Sequence, residues 1–362
     1  MPERFLTVSN GDTRLRDLLD GRHTDAAVRP VLVATLNPEN LSKTEWTFEF
    51  ISIRDLRVPS LMIVWLRALR PETLVLSLAP MFAIAMWLVR QGVFDFALMF
   101  QALIGVLALH ASIGLFNDYH DHISGWDRLV ARGGARVIGR GWLRALDVKR
   151  AAWTAFSIAI LAGAPLVISR FSVGVVIALL ALLSALEFAV SKFGLKYKGF
   201  AEIAAWFMFG PLLTGGFYWA VAGRLTVEAV VWGFLYGSIA LLILHLKNFE
   251  RIMIDGRAGF RTWPVRAGFD ASKTFAYFCV ALVLGSAAFI GFLVDAIPER
   301  LLMIFTLAMG SWPLVKRVHQ LESPVSGLMR GLSREGYAVA WWGFLGFIMG
   351  ELVRTFEAWV WW

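Results

Sequence analysis

Ala97-Leu-Met-Phe-Gln-Ala-Leu-Ile-Gly-Val-Leu-Ala-Leu-His-Ala-Ser-Ile-Gly-Leu-Phe116 runs directly into Asn117-Asp118-Tyr119-His120-Asp121-His122-Ile123-Ser124-Gly125-Trp126-Asp127. The first part is apolar for the roughly 20 residues that span about 30 Å of hydrocarbon as a helix. The second part is acidic and polar, so the chain leaves the membrane there. Eight further stretches of this kind occur, at about 71–90, 151–169, 171–190, 202–222, 227–246, 274–294, 300–315 and 337–358. The expectation is an all-α polytopic bundle of nine transmembrane helices. No alternation of about ten residues recurs, which argues against a transmembrane β-barrel.

Composition agrees. Hydrophobic residues make up 58% and charged residues 17% of the 362, far from the roughly 25% charged of a soluble domain. One cysteine, Cys279, excludes an internal disulfide framework and multi-cysteine metal sites. Residues 1–62 read as a cytoplasmic N-terminal extension, partly ordered at best, with turn signals at Asn10-Gly11 and Asn37-Pro38 and no function assigned. It shows no basic stretch followed by an apolar run that would read as a signal peptide. Residues 63–362 form the membrane domain.

With nine spans, the side holding the N-terminus and the loops after spans 2, 4, 6 and 8 carries 10, 7, 3, 6 and 4 basic residues, thirty of the 35. Positive charge marks the cytoplasmic side. The protein is therefore expected in the inner, cytoplasmic membrane, with its N-terminus and its charged loops in the cytoplasm. The excess of eight positive charges is thus a sidedness, and no nucleic-acid partner is implied.

Two of those loops carry chemistry. If the helix continues through the first, Asn117, Asp118 and Asp121 lie on one face, and Asp127 can fold back beyond Gly125. Crowded carboxylates at a membrane boundary need a cation, and oxygen ligands suit Mg²⁺, especially when a diphosphate completes the coordination. A solvated helix end is the plainer reading of Asp-x-x-Asp alone. His120 and His122 sit on different faces and make no zinc set. Arg128, Arg132, Arg136 and Arg140 then interleave with glycines, offering charge and backbone N–H groups to phosphate, although any one of them also reads as an ordinary positive-inside charge. The second segment, Lys247-Asn248-Phe249-Glu250-Arg251-Ile252-Met253-Ile254-Asp255, places Lys247, Arg251 and Asp255 four apart on one stripe. Pairing of Arg251 with Asp255 is the simple account of that stripe. The loop after span 4 adds Lys192, Lys196, Tyr197 and Lys198, with Glu202 just beyond. Charges at the bilayer edge usually pair or serve a site.

From about Leu66 to Ala358 the chain resembles the UbiA-type intramembrane prenyltransferases, and most closely the 1,4-dihydroxy-2-naphthoate branch of menaquinone synthesis. The likeness rests on Arg70-Pro71-Glu72-Thr73-Leu74 leading to Pro80, on Asn117-Asp118-x-x-Asp121 with Gly125 and Asp127, and on Gly133-Gly134-Ala135-Arg136-Val137-Ile138 with Gly141-Trp142-Leu143. Tyr197-Lys198-Gly199 with Glu202, Phe209-Gly210-Pro211-Leu212, and Asp255-x-x-x-Gly259-x-Arg261-Thr262 complete it. Each is weak alone; together, in order, they are specific.

The resemblance implies transfer of a polyprenyl group from its diphosphate to an aromatic acceptor. It implies Mg²⁺ held by Asn117, Asp118, Asp121, Asp127 and Asp255, with Asp118, Asp121 and Asp255 catalytic. Asn117, Arg136, Tyr197, Lys198, Lys247, Asn248, Arg251 and Arg261 are the implied substrate-binding residues, and Tyr119, Tyr197, Trp206 and Phe209 the implied aromatic lining. The long prenyl chain would lie between helices or toward membrane lipid. One departure stands out: where the family usually has Arg-Asp, this sequence has Glu250-Arg251, a cation in place of an expected metal ligand. Either Arg251 meets the diphosphate directly, or the enzyme is impaired or repurposed. A transporter would instead concentrate ionisable residues near the midplane, where His110 and Glu187 are the main examples.

Overall fold

The computed structural model describes residues 4–36, 44–93, 95–125, 136–169, 171–189, 198–257, 259–293 and 297–360. Its elements are β1 (Phe5–Ser9), α1 (Leu15–Leu19), β2 (Val28–Leu36), β3 (Glu45–Ser52), α2 (Leu61–Leu69), α3 (Val75–Arg90), α4 (Phe96–Ile123), α5 (Ala145–Ser169), α6 (Phe171–Ala189), α7 (Ala201–Phe207), α8 (Leu213–Ala222), α9 (Val227–Glu250), α10 (Ile252–Arg257), α11 (Trp263–Ala267), α12 (Phe269–Leu293), α13 (Ile297–His319) and α14 (Leu332–Val360).

Among the described residues, six helices are each long and apolar enough to cross a membrane, and a seventh span arises if α2 and α3, bent by 60° at their junction, count as one. The other two expected spans fall on α6 and on α7–α8. The last pair is a single helical path interrupted at Gly210-Pro211, where Gly210 takes φ −99°, ψ −112°. The break is a packing device. A Cβ on Gly233 of α9 would come within 2.4 Å of the Pro211 nitrogen, so only glycine admits this crossing.

Helix α9 is the hub of the bundle, touching α3, α7, α8, α12 and α14, and Leu235, Leu242, Leu246 and Phe249 are fully buried along it. Its first turn is capped by Thr226, whose hydroxyl accepts from Ala229 N–H at 3.4 Å. Asp95 caps α4 by accepting from Ala97 and Leu98 N–H at 2.8 and 3.1 Å. A smaller apolar cluster joins Val64 and Ala68 of α2, Leu115 and Tyr119 of α4, and Val137, Ile138 and Leu143 of the segment before α5.

The N-terminal extension corrects the expectation of partial order. It forms a three-stranded antiparallel sheet in the order β1-β3-β2, with a bulge in β2 between Leu32 and Ala34. Val8, Leu15, Leu18, Leu19, Leu32, Trp46 and Phe48 give it a core of its own. Period-two alternation in Trp46-Thr47-Phe48-Glu49-Phe50 directs large rings to one face and polar side chains to the other.

Candidate active site

Two interactions help to organise the acidic end of α4. Asn117 Nδ2 donates to Asp121 Oδ2 at 3.2 Å, the four-residue spacing that puts both on one face. Asp118 forms a short, largely buried ion pair with Arg70. Arg70 ends α2 in the left-handed region, φ 50° and ψ 65°, and this turn makes the bend into α3. The guanidinium is thereby carried across to α4, a placement that sequence separation alone would not suggest.

The end of α9 is built differently. Arg251 donates from Nε to Asp255 Oδ1 at 3.2 Å, with Nη2 at 3.1 Å from the same oxygen, and the Asp255 side chain is only 3% exposed. Asn248 Nδ2 donates to Glu202 Oε1 at 2.8 Å inside the protein, and Glu202 Oε2 is buried with no hydrogen-bond partner among the described residues. Glu250, the other half of the departure, turns away: it accepts from Gly331 N–H at 2.6 Å and from the Ser333 hydroxyl at 3.0 Å. It ties α9 to the start of α14 and does not replace a missing metal ligand.

A cavity of about 600 Å³ runs between α3, α4, α5, α6, α8 and α9, and its wall is mainly apolar. Its polar wall includes Arg70, Asn117 and Lys247, so both charged ends contribute to one chamber. Phe209 lines it as expected. Trp206 instead packs edge-on against Phe234 at 5.1 Å, and Tyr119 is buried behind α4, beneath Lys149.

His110 also lines the chamber, seven residues and two turns before Asn117 on the same face of α4. The Thr73 hydroxyl donates to the Arg70 carbonyl at 2.9 Å, so it accepts from His110 Nε2–H at 3.1 Å. His110 Nδ1 is then the acceptor for the Ser77 hydroxyl at 2.7 Å. A polar relay thus links the chamber wall to the residue that holds Asp118. In sequence, His110 stands as an isolated intramembrane residue and Arg70 as the entry to the first helix. The two-turn spacing to Asn117 was the available signal.

Other expected residues do not line the chamber or lie outside the described residues. Arg136 has φ 53° in the segment before α5. Lys198 and Arg261 are exposed, although their loops meet where the Lys198 carbonyl accepts from Arg266 Nη1 at 3.0 Å. Asp127 and Tyr197 lie outside the described residues.

The oxygen donors on α4 suit a hard cation. Mg²⁺ is commonly held by one or two carboxylates plus substrate phosphates rather than by a full protein cage. Among the described residues, no three acidic, histidine or cysteine side chains converge. At Asp255, as at Asp118, a guanidinium faces the carboxylate.

Residues 77–327 match the model of the UbiA prenyltransferase family. The 1,4-dihydroxy-2-naphthoate octaprenyltransferase of Haemophilus influenzae is 28% identical over 261 residues, covering 68% of this chain and 82% of that protein. The Escherichia coli protein of the same name is 29% identical over 213 residues, covering 56% and 68%. Among solved structures, a UbiA homologue from Archaeoglobus fulgidus bound to GPP and Mg²⁺ superposes with a TM-score of 0.54 at 14% identity, over 78% of this chain and 99% of that one. A digeranylgeranylglyceryl phosphate synthase gives 0.51 at 17%, over 80% and 98%. These likenesses establish a shared fold.

Proposed function

The chain belongs to the UbiA prenyltransferase family, and from that premise we propose that it transfers a polyprenyl group to a 1,4-dihydroxy-2-naphthoate-like ring in quinone biosynthesis, with Mg²⁺. The observation that carries this reading is the shape of the chamber: an apolar interior with Arg70, Asn117 and Lys247 on its wall. A prenyl diphosphate has the same division, a hydrocarbon chain with a compact anionic head. The names of the relatives support the naphthoate acceptor.

In this reading Asn117, Asp118 and Asp121, with Asp127 and Asp255, would hold Mg²⁺ beside the diphosphate. When bound, the ion neutralises charge that builds on the leaving group as the allylic C–O bond breaks. Lys247 supplies a fixed positive charge to the same oxygens, worth most in a chamber that excludes water. Arg70 orients Asp118 through their ion pair. Phe209 offers an aromatic face toward the allylic carbon, whose C1 the electron-rich ring attacks, and loss of the ring carboxylate restores aromaticity. Arg251, held by Asp255, provides the positive charge at the α9 end that a metal ligand would otherwise organise. Arg136, Lys198, Asn248 and Arg261 remain proposed contacts of the diphosphate or acceptor. The charged end faces the cytoplasm of the inner membrane, as the basic-residue bias favours.

The test uses purified protein with Mg²⁺, a polyprenyl diphosphate and 1,4-dihydroxy-2-naphthoate, following diphosphate release and prenylated product. Release that requires both metal and acceptor is expected. Absence of release with every phenol or naphthoate tried would leave the second reading, a non-catalytic isoprenoid-binding relative, which the guanidinium at Asp255 favours. Arg251→Asp separates the two: a large gain in turnover means that the natural site is impaired, and a loss means that the cation is used.

A further inference from the structure

The last turn of α4 has two working faces. Asn117 lines the chamber and donates to Asp121, while Asp118 pairs with Arg70. Tyr119 and His122, each one residue on and so about 100° round the helix, are buried, and both reach α1 of the N-terminal module. Arg16 Nη2 donates to the Tyr119 hydroxyl oxygen at 2.7 Å, and Arg16 is itself braced by Asp20 at 3.5 Å. His122 Nε2–H donates to the Leu19 carbonyl at 3.2 Å. The contact continues past the helix. Gly125 sits at φ 72° against Thr35 and Trp46, where an added Cβ would lie 2.7 to 2.9 Å from their side chains. Arg29 Nη1 donates to the Gly141 carbonyl at 2.8 Å, and Leu146 N–H to the Asp20 carbonyl at 3.3 Å.

These contacts straddle the end of α4, the residue that closes it, and the entry to α5. A helix end has orphan carbonyls and frays unless something holds it. Here the carboxylates that the proposed function assigns to Mg²⁺ stand on that end. We propose that the N-terminal α/β module is a positioning clamp for the acidic end of α4, with Arg16 acting through Tyr119 to set the rotation of Asn117, Asp118 and Asp121. Arg16 is a positioning residue; it touches neither substrate nor metal. The inference rests on the proposed function for the importance of those carboxylates, but the clamp itself is a mechanical statement.

Full-length wild type, Arg16→Ala, Arg16→Lys, Tyr119→Phe and the double variant Arg16→Ala/Tyr119→Phe are compared in detergent. Mn²⁺ with inorganic diphosphate is titrated by electron paramagnetic resonance, and hydrogen exchange is followed in peptides covering 115–125. Arg16→Ala and Tyr119→Phe should each weaken Mn²⁺ binding about tenfold, the lower range for partners that orient metal ligands. Exchange should accelerate selectively at 119–125, the double variant should be no worse than either single, and Arg16→Lys should recover part of the loss. Turnover should fall through a raised Mg²⁺ requirement, with the prenyl-diphosphate KM at saturating Mg²⁺ unchanged. Unaltered exchange at 119–125, or acceleration spread evenly over the bundle, overturns the clamp. Wild type that fails to bind Mn²⁺ and diphosphate overturns the active-site reading instead, and the exchange data then decide the clamp alone.

Discussion

The ends of α4 and α9 carry comparable polar residues and solve the same problem in opposite ways. At α4 the guanidinium comes from another helix, Arg70 pairing with Asp118, while Asn117 and Asp121 turn together on the adjoining turn. At α9 the guanidinium is four residues away on the same stripe, and Arg251 closes directly onto Asp255. Proximity in sequence makes the second pair local, joining the end of α9 to α10. The first depends on the bend between α2 and α3, and so couples the acidic end to the shape of the chamber. In the proposed reading, one end takes up Mg²⁺ and the other carries its own cation.

That contrast can be broken most forcefully at Asp121. Asp121→Ala should reduce prenyl transfer by about 10³-fold, of the order seen when a preorganised charge-stabilising group is lost, while the melting temperature changes little. If turnover is spared, α4 is not the metal end. Arg251→Ala should act on stability: it removes the guanidinium that faces a buried carboxylate and should cost about 3 kcal/mol, the lower end for breaking a buried pair. Arg251→Ala/Asp255→Ala should recover most of that in a detergent melt. A single variant as stable as wild type would mean that the pair is not neutralising Asp255. His110→Phe removes the relay to Thr73 and Ser77 and should lower turnover by about tenfold, or about 1.4 kcal/mol. Its signature is a fall in kcat rather than in diphosphate KM. Glu250→Gln should be mildest, about 1 kcal/mol of stability from weakened charge-assisted hydrogen bonds to Gly331 and Ser333, with no change in metal dependence. A strong metal effect there would return Glu250 to the site.

The residues themselves explain which features were legible. Twenty-residue apolar runs follow from the thickness of a bilayer, so the helices could be placed directly. The Arg251–Asp255 pair was legible because four residues make one helical turn. The sheet was overlooked because its signal, the alternation through Trp46, Phe48 and Phe50, is short and weak beside the membrane segments. Arg70 and His110 were legible as residues but not as partners, since the Arg70–Asp118 pair spans 48 positions and needs the bend to close.

The sequence by itself determined a helical membrane protein, its acidic and basic segments, and the local pairing on α9. These depend on hydrophobicity and helical period, which are properties of short stretches. Only the tertiary structure decided that Arg70 reaches Asp118, that His110 bridges Thr73 and Ser77, and that a folded N-terminal module grips the back of α4. Those contacts join segments far apart in the chain, and their geometry is set by how the helices cross.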